Sequence, residues 1–440
     1  MPKISTDTME KVLSDEAVEK AVSDKHERYY NPLIASLREK AKKGTNRFEC
    51  NSSVISYPTG FPVLDYYLGY RVNVYDRFSR IIDSYPSIGI TCGSFVTFIG
   101  KPSTSKTTTA VQIASNIVRP FESGSVIHFD LEQAMNLTRV KTLSKFKMPE
   151  IEAGKYILRQ EQNTINDIKA TIGDIYVEKI QNPDKYKYNT GKKDEFGNDI
   201  IIFQPTVVII DSIAAMSTGI NDNSKSDLAK LEEVGSQTER MRITGEISRF
   251  FNELTPIIRT ANIIVICINQ IKVKATIGGM PSPADILYLR QDESLPGGRS
   301  PQFLAHILCK FTAIGGEKYD EEEDGFGGFG VRIDIIKSRV NQAGRFVNMI
   351  YDKVRGIDPL RSTIDWSKEQ GLTGGNKNKF YFLTDKDLNF TLPRVHDHFK
   401  ENRDLYKVMY KNVIPILEAK LSQLDDTEMD VIEEEYDYSY

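Results

Sequence analysis

Short, mainly apolar runs recur through the middle of the chain, and helix-like segments or polar turns separate them. Such runs are typical of strands that are buried on both faces of a parallel sheet. Four of them set the pattern, at residues 95–99, 125–130, 207–211 and 263–268. Their alternation with helical segments predicts an α/β fold, in which helices flank a mostly parallel central sheet.

The same pattern divides the chain into four regions. We expect residues 1–50 to form a helical arm, which is either a plain N-terminal helix or one used in oligomerisation. We expect residues 51–372 to form the α/β core, residues 373–424 a small C-terminal lobe of helix and loop, and residues 425–440 a tail. Within the core we expect an irregular stretch at 70–91, a sheet strand at 303–311, and inserted hairpins near 181–205 and 318–329 with no assigned role.

Charge is unevenly distributed along the 440 residues. The net charge is −4, but the last sixteen residues contain eight acidic residues and no Lys or Arg. Without that acidic tail the rest of the chain carries +4, so the tail masks a mildly basic body. This distribution permits a nucleic-acid partner, although the chain is not uniformly basic.

Cysteine content and hydropathy argue against a metal- or disulfide-stabilised protein and against a membrane protein. The four cysteines are widely spaced and there are only five histidines, which argues against a zinc site or a disulfide framework. The first residues lack the apolar core of a signal peptide, and no apolar run approaches the roughly 18 residues that a membrane-spanning helix needs. We therefore expect a soluble cytoplasmic protein without a membrane partner.

A phosphate-binding loop follows the first apolar run. Gly100, four residues, Ser105, Lys106 and Thr107 match the pattern G-x-x-x-x-G-K-[ST] except that serine replaces the second glycine. Successive backbone N–H groups at a helix N-terminus form a site for anions, which predicts binding of ATP with Mg²⁺. The alternative is a surface turn that happens to contain a lysine. The predicted nucleotide-binding residues of this loop are Gly100, Ser103, Thr104, Ser105, Lys106, Thr107 and Thr108.

Three later strands end in polar residues that would meet this loop, because the carboxyl ends of parallel strands share one edge of the sheet. Asp211 ends the run at 207–211 and is placed to hold Mg²⁺ together with Thr107. Glu132 follows the strand at 125–130 and could deprotonate the attacking water, although an isolated glutamate there is more often a surface residue. Gln270 lies just beyond the apolar run at 263–268 and is a candidate sensor of the γ-phosphate.

The order of these motifs resembles that of the RecA family of ATP-dependent DNA recombinases, and within it the UvsX type of tailed phages. The resemblance spans about residues 54–372. It is carried by YPTGFPVLDYYLG, GKPSTSKT, FDLEQA, VVIIDSIAAM, ICINQIKVK, LPGGRSPQFLAH, IIKSRVNQAGRF and GIDPLRSTIDWSKEQGL.

The resemblance implies roles for further residues. Two loops at about 233–242 and 271–296 would bind single-stranded DNA, Phe303 would pack across a subunit interface, and Lys337 and Arg339 would reach the ATP of a neighbouring subunit. From spacing alone, Lys337 and Arg339 are more simply a solvated basic edge. Asn136 would contact the nucleotide. The sequence departs from the family at Arg139, where an adenine-stacking tyrosine is expected, and at Gln302, where a lysine is expected.

The expected function is therefore an ATP-dependent recombinase with a core of the RecA type. It would polymerise on single-stranded DNA as a filament, pair that strand with homologous double-stranded DNA, and work with single-strand-binding and mediator proteins. Phosphate contacts would come from Arg240, Arg242, Lys272, Lys274 and Arg290. A hexameric, ring-shaped helicase of the same fold and a non-catalytic nucleotide-binding scaffold are the two alternatives.

Overall fold

A computed structural model describes residues 55–76, 80–161, 164–194, 197–217, 237–273, 289 and 293–422. The predicted helical arm at 1–50 and the acidic tail at 425–440 lie outside the described residues. Within these ranges, no helix combines the length and the apolar character needed to cross a membrane.

Twenty strands are described. In chain order they are β1 (Ser56–Tyr57), β2 (Tyr70–Tyr75), β3 (Ile81–Ser87), β4 (Ile90–Thr91), β5 (Phe95–Gly100), β6 (Ser125–Asp130), β7 (Tyr156–Arg159), β8 (Lys187–Lys193), β9 (Asp199–Phe203), β10 (Thr206–Asp211), β11 (Ile263–Gln270), β12 (Lys272–Val273), β13 (Glu293–Ser294), β14 (Ile307–Tyr319), β15 (Gly328–Ser338), β16 (Arg345–Asp352), β17 (Gly356–Ile357), β18 (Thr373–Asn376), β19 (Lys379–Phe382) and β20 (Asp385–Phe390).

Twelve α-helices are described with them. In chain order they are α1 (Pro62–Leu68), α2 (Lys106–Val118), α3 (Leu137–Ser144), α4 (Met148–Glu152), α5 (Ile165–Gln181), α6 (Pro183–Tyr186), α7 (Gln237–Thr260), α8 (Ser300–Phe303), α9 (Glu321–Asp324), α10 (Pro359–Glu369), α11 (Val395–Glu401) and α12 (Asp404–Ser422).

A nine-stranded sheet organises the core, in the order β17-β16-β15-β14-β5-β11-β10-β6-β7. The six strands from β14 to β7 pair in parallel, and β15, β16 and β17 add antiparallel pairs at one side. The prediction of an α/β fold with a mostly parallel central sheet flanked by helices is therefore confirmed. The four apolar runs became the neighbouring strands β5, β11, β10 and β6.

Alternate residues of the central strands pack into two apolar clusters on opposite faces of the sheet. In β10, Val207 and Ile209 belong to one cluster, whereas Val208 and Ile210 belong to the other. Helix α2 covers the first face, and helices α5 and α7 cover the second. Burial on both faces explains why these strands read as continuous apolar runs rather than as alternating patterns.

Four expectations about secondary structure were wrong. The stretch at 70–91 contains a hairpin, β2 and β3, because Val72 and Val74 alternate with polar residues and are buried. The strand expected at 303–311 begins only at Ile307, since residues 300–303 form the short helix α8 with proline in its first turn. Residues 237–242 of the first expected DNA loop belong to helix α7. Residues 373–390 contain the three-stranded antiparallel sheet β18-β19-β20.

The two expected hairpins are present. Strands β8 and β9 pair antiparallel within the region near 181–205. The region near 318–329 joins β14 to β15 through the short acidic helix α9.

Candidate active site

The turn between β5 and α2 is the centre of the site. At Gly100, an added Cβ would lie 2.5 Å from the Phe311 carbonyl oxygen, so only glycine fits where the strand enters the turn. Ser105, at the position of the missing glycine, has φ of 67° and lies in the left-handed region. Among the described residues, no group hydrogen-bonds its buried hydroxyl oxygen. The serine thus adopts the backbone conformation that the motif requires of glycine.

Lys106 is the first residue of α2 and points back into the turn. Its Nζ donates to the Lys101 carbonyl at 2.7 Å and lies 3.3 Å from the Thr104 hydroxyl. Burial lowers the pKa of this amine to about 8, although the nearby carboxylates of Asp211 and Glu132 favour its charged form. A partly desolvated cation at a helix N-terminus suits the binding of phosphate.

Thr107 and Asp211 meet across the sheet edge. The Thr107 hydroxyl donates to Asp211 Oδ2 at 2.6 Å. Burial raises the pKa of Asp211 to about 6, the Thr107 hydrogen bond opposes that rise, and Glu132 adds to it. A hydroxyl and a carboxylate are hard oxygen donors of the kind that Mg²⁺ prefers. Together with the unpartnered Ser105 hydroxyl, they fit a magnesium-bound nucleotide.

Glu132 follows β6 and faces the ends of β10 and β11. Its Oε1 accepts hydrogen bonds from the Ser212 hydroxyl at 2.5 Å and from Gln270 Nε2 at 2.8 Å. Both donors follow from the strand order, because β6, β10 and β11 are neighbours and end at the same edge. The structure therefore brings together the predicted residues Lys106, Thr107, Asp211, Glu132 and Gln270. Ser212 was missed, although it directly follows Asp211, the predicted metal-binding residue.

A second wall of the site comes from the segment between Tyr351 and Ile357. Gln112 of α2 hydrogen-bonds the carbonyls of Arg355 and Ile357 and accepts the Ile357 N–H. Gly356 has φ of 82°, and a Cβ there would lie 2.7 Å from Thr108 Cγ2, so the backbone passes close to the first turn of α2. The GIDP motif was the sequence signal for this segment, but its contact with α2 was not predicted.

Arg139 links helix α3 to this wall. Its guanidinium donates to the Val354 carbonyl at 2.6 Å and lies 3.4 Å from the Tyr351 hydroxyl. Asn136 is the N-cap of α3, and its side chain accepts the Arg139 N–H at 2.8 Å. In this structure Asn136 is thus engaged with its own helix.

Lys337 and Arg339 lie away from the Lys106 turn. Lys337 in β15 pairs with Leu308 in β14, and Leu308 pairs in turn with Thr97 in β5. Lys337 therefore lies two strands from β5, at the level of a residue three positions before Gly100. That is about 10 Å along the strands and about 10 Å across them. Instead, Lys337 Nζ donates to the Phe303 carbonyl at 2.5 Å and Arg339 donates to the same oxygen at 3.2 Å. The Phe303 side chain is 65 % exposed.

The predicted DNA-binding residues are only partly described. Lys272 is exposed in β12, two residues after Gln270, so it leaves the sheet at the edge where Glu132 lies. Arg242 lies in α7 and lines a polar groove of about 410 Å³ with Lys169 and Arg249. The Arg240 side chain, Lys274 and Arg290 are outside the described residues, as is most of each predicted loop.

Comparison with known proteins gives a sequence relative and structural neighbours, one of which is described here. No family model matches the chain. Protein RecA from Treponema denticola is 25 % identical over 199 residues, which is 42 % of this chain and 45 % of that protein. The match therefore spans less than half the length of this curated relative. The crystal structure of the RadB recombinase matches 60 % of this chain and 90 % of its own, with 16 % identity and a TM-score of 0.35.

Proposed function

We propose that this protein is an ATP-dependent recombinase of the UvsX type, which polymerises on single-stranded DNA and exchanges it into homologous duplex DNA. One observation carries the proposal: Gln270 donates to Glu132 and is followed at once by the segment that would bind DNA. A single side chain thereby joins the residue proposed to activate water to the residues proposed to hold DNA. Sequence similarity to a RecA protein supports the same class.

The nucleotide would be ATP with Mg²⁺. When bound, it supplies the γ-phosphate and a divalent charge that offsets the negative charge on the phosphate oxygens. Lys106 and the N–H groups at the start of α2 would bind phosphate, and Thr107 and Asp211 would hold the metal. Their contact at 2.6 Å already brings the two oxygen ligands together.

Glu132 would act as the general base. Its Oε1 already accepts two hydrogen bonds, so the proton of the attacking water would be transferred to Oε2. Gln270 would turn from Glu132 towards the γ-phosphate when nucleotide and DNA are both present. Hydrolysis would remove the γ-phosphate, return Gln270 to Glu132 and weaken DNA binding. The γ-phosphate would thus control the conformation of the DNA-binding segment.

Single-stranded DNA would be bound by Arg and Lys side chains that contact its phosphates and do not recognise its bases. Arg240, Arg242, Lys272, Lys274 and Arg290 would neutralise phosphates, so affinity would fall steeply with salt. Lys337 and Arg339 would complete the site of the next subunit in a filament, since they lie away from the turn of their own chain. Single-strand-binding and mediator proteins would assist loading. The expected location is the cytoplasm, which is that of the host cell if the protein is viral.

ATP hydrolysis measured with and without single-stranded DNA tests the proposal. We expect strong stimulation by DNA in the wild type and its loss in Glu132→Gln, with DNA binding retained. Glu401→Gln, which changes an exposed carboxylate of α11, serves as the matched control. Hydrolysis that ignores DNA would overturn the proposal and favour the scaffold. Electron microscopy with ATP and DNA separates filaments from the rings expected of a hexameric helicase.

A further inference from the structure

The loop that carries Glu132 is folded around a buried carboxylate. Asp130 ends β6 and is 1 % exposed. Its Oδ1 accepts the Ala134 N–H at 3.2 Å, and its Oδ2 accepts the Met135 N–H at 2.8 Å. Residues 131–135 therefore form a closed turn, from which Glu132 projects towards Ser212 and Gln270.

Gln160 fastens this turn from the neighbouring strand. It follows β7, and its Nε2 donates both to Asp130 Oδ2 at 2.8 Å and to the Met135 carbonyl at 2.6 Å. Its backbone carbonyl accepts Gln133 Nε2 at 3.0 Å. The Gln160 amide thus donates one N–H to each end of the turn, at Asp130 and at Met135. A third hydrogen bond joins the Gln133 side chain to the Gln160 carbonyl.

We infer that Gln160 is a positioning residue for Glu132: it fixes the turn so that the carboxylate faces the site edge. The inference rests on the proposed role of Glu132 as the base. Gln160 has no hydrogen bond to Glu132 itself among the described contacts, so its effect would pass through residues 133–135.

The physical reason is the sensitivity of proton transfer to distance. A general base must lie within hydrogen-bond reach of the water, and a displacement of about 1 Å can lower the rate by about 100-fold. Nucleotide binding depends instead on Lys106, Thr107 and Asp211, which are carried by α2 and β10. Loss of the Gln160 amide should therefore reduce turnover while leaving nucleotide affinity unchanged.

The test compares Gln160→Met and Gln160→Ala with the wild type in steady-state ATP hydrolysis with DNA. We expect kcat to fall between about 10- and 100-fold and KM for ATP to stay close to wild type. The melting temperature should fall, because the buried Asp130 carboxylate loses a hydrogen-bond donor. Gln160→Met keeps the length of the side chain without its donors, so it separates lost hydrogen bonds from lost packing. Gln204→Met is the matched control, because that glutamine accepts the Ser123 N–H at the opposite end of β10.

A double-mutant cycle makes the role specific. If Gln160 acts through Glu132, Gln160→Met should have no further effect on the residual single-turnover rate of Glu132→Gln. Additive losses, or equal losses of kcat and nucleotide affinity, would overturn the inference and leave Gln160 with a general structural role. A wild type that hydrolyses ATP only weakly and without response to DNA would instead refute the proposed function, so the two failures are distinguishable.

Discussion

Gln270 Nε2 donates a hydrogen bond to Glu132 Oε1 at 2.8 Å. The last residue of β11 is thereby joined to the loop that follows β6. The Ser212 hydroxyl donates to the same oxygen at 2.5 Å. One carboxylate oxygen has two lone pairs, and both are engaged here. Glu132 is therefore held in one orientation by two strand ends, and only Gln270 also leads into the segment that would bind DNA.

Replacement of Gln270 by methionine tests this coupling. Methionine has a similar length but no amide, so it can neither hold Glu132 nor sense a phosphate. We expect DNA stimulation of ATP hydrolysis to be lost, leaving a rate that is the same with and without DNA, while nucleotide affinity is retained. Gln342→Met, at an exposed glutamine outside the site, is the control. Stimulation that persists in Gln270→Met would contradict the coupling.

Replacement of Ser105 by glycine should not weaken the fold, despite the usual cost of glycine. The serine has φ of 67° and a buried hydroxyl without a partner among the described residues, and glycine removes both penalties. We expect the free energy of unfolding to change by between about 0 and +1 kcal/mol, measured by urea denaturation without nucleotide. Ser105→Val should lose about 1–2 kcal/mol, because a β-branched residue fits this region poorly.

A serine in regular structure provides the comparison for that prediction. Ser125 begins β6, where glycine brings only its greater flexibility in the unfolded chain. Ser125→Gly should therefore destabilise the protein by about 0.5–1 kcal/mol. Equal destabilisation by glycine at 105 and 125 would show that the left-handed conformation of Ser105 carries no strain.

The central strands and the site edge could be predicted because their signals are local. An unbroken apolar run predicts a strand buried on both faces, and a polar residue directly after it must lie at the carboxyl edge, as Asp211, Glu132 and Gln270 do. The hairpin β2-β3 and the sheet β18-β19-β20 were missed because their strands are short and Gly, Pro and Asp interrupt them. In β19 the alternation of buried and more exposed side chains extends only over Phe380 and Phe382. The contact of Gln112 with Ile357 joins residues 245 positions apart, and no local pattern predicts such a pair.

The buried carboxyl of Asp65 predicts a pH dependence of stability. It lies in α1, and its Oδ1 accepts both the Thr59 N–H at 2.5 Å and the Thr59 hydroxyl at 2.6 Å. Burial raises its pKa from 3.8 to about 7, although the bonds from Thr59 oppose that rise. Because the folded pKa lies above the unfolded one, this group's stabilisation is complete below about pH 4 and is lost as the pH rises to about 7.

Asp65→Asn should remove this dependence, because an amide oxygen can accept both bonds from Thr59. The wild type should lose up to about 1.4 kcal/mol per pH unit relative to the variant between pH 4 and 7, and no more above pH 7. Urea denaturation of both proteins at pH 5, 6, 7 and 8 measures the difference. Asp174→Asn, an exposed position on α5, is the control. A difference that stays constant with pH would show that Asp65 is ionised throughout.

The positions of Lys337 and Arg339 predict that catalytic sites are shared between subunits. Both cations donate to the Phe303 carbonyl, and the strand register keeps them away from the Lys106 turn of their own chain. In a head-to-tail assembly, the cations of one subunit can instead meet the nucleotide of the next. We therefore expect the double variant Lys337→Ala/Arg339→Ala to bind ATP normally and to lose most of its DNA-dependent hydrolysis, as we also expect of Glu132→Gln.

Mixing these two inactive proteins should then restore activity. A complete site forms where a Glu132→Gln subunit supplies its cations to a neighbour with an intact Glu132. After random mixing in equal amounts, about a quarter of all interfaces have this arrangement. Hydrolysis by the mixture should approach about a quarter of the wild-type rate. A mixture of Glu132→Gln with Lys106→Ala is the control, because both changes damage the same side of the interface. Mixed filaments without restored hydrolysis would place the role of Lys337 and Arg339 within their own chain.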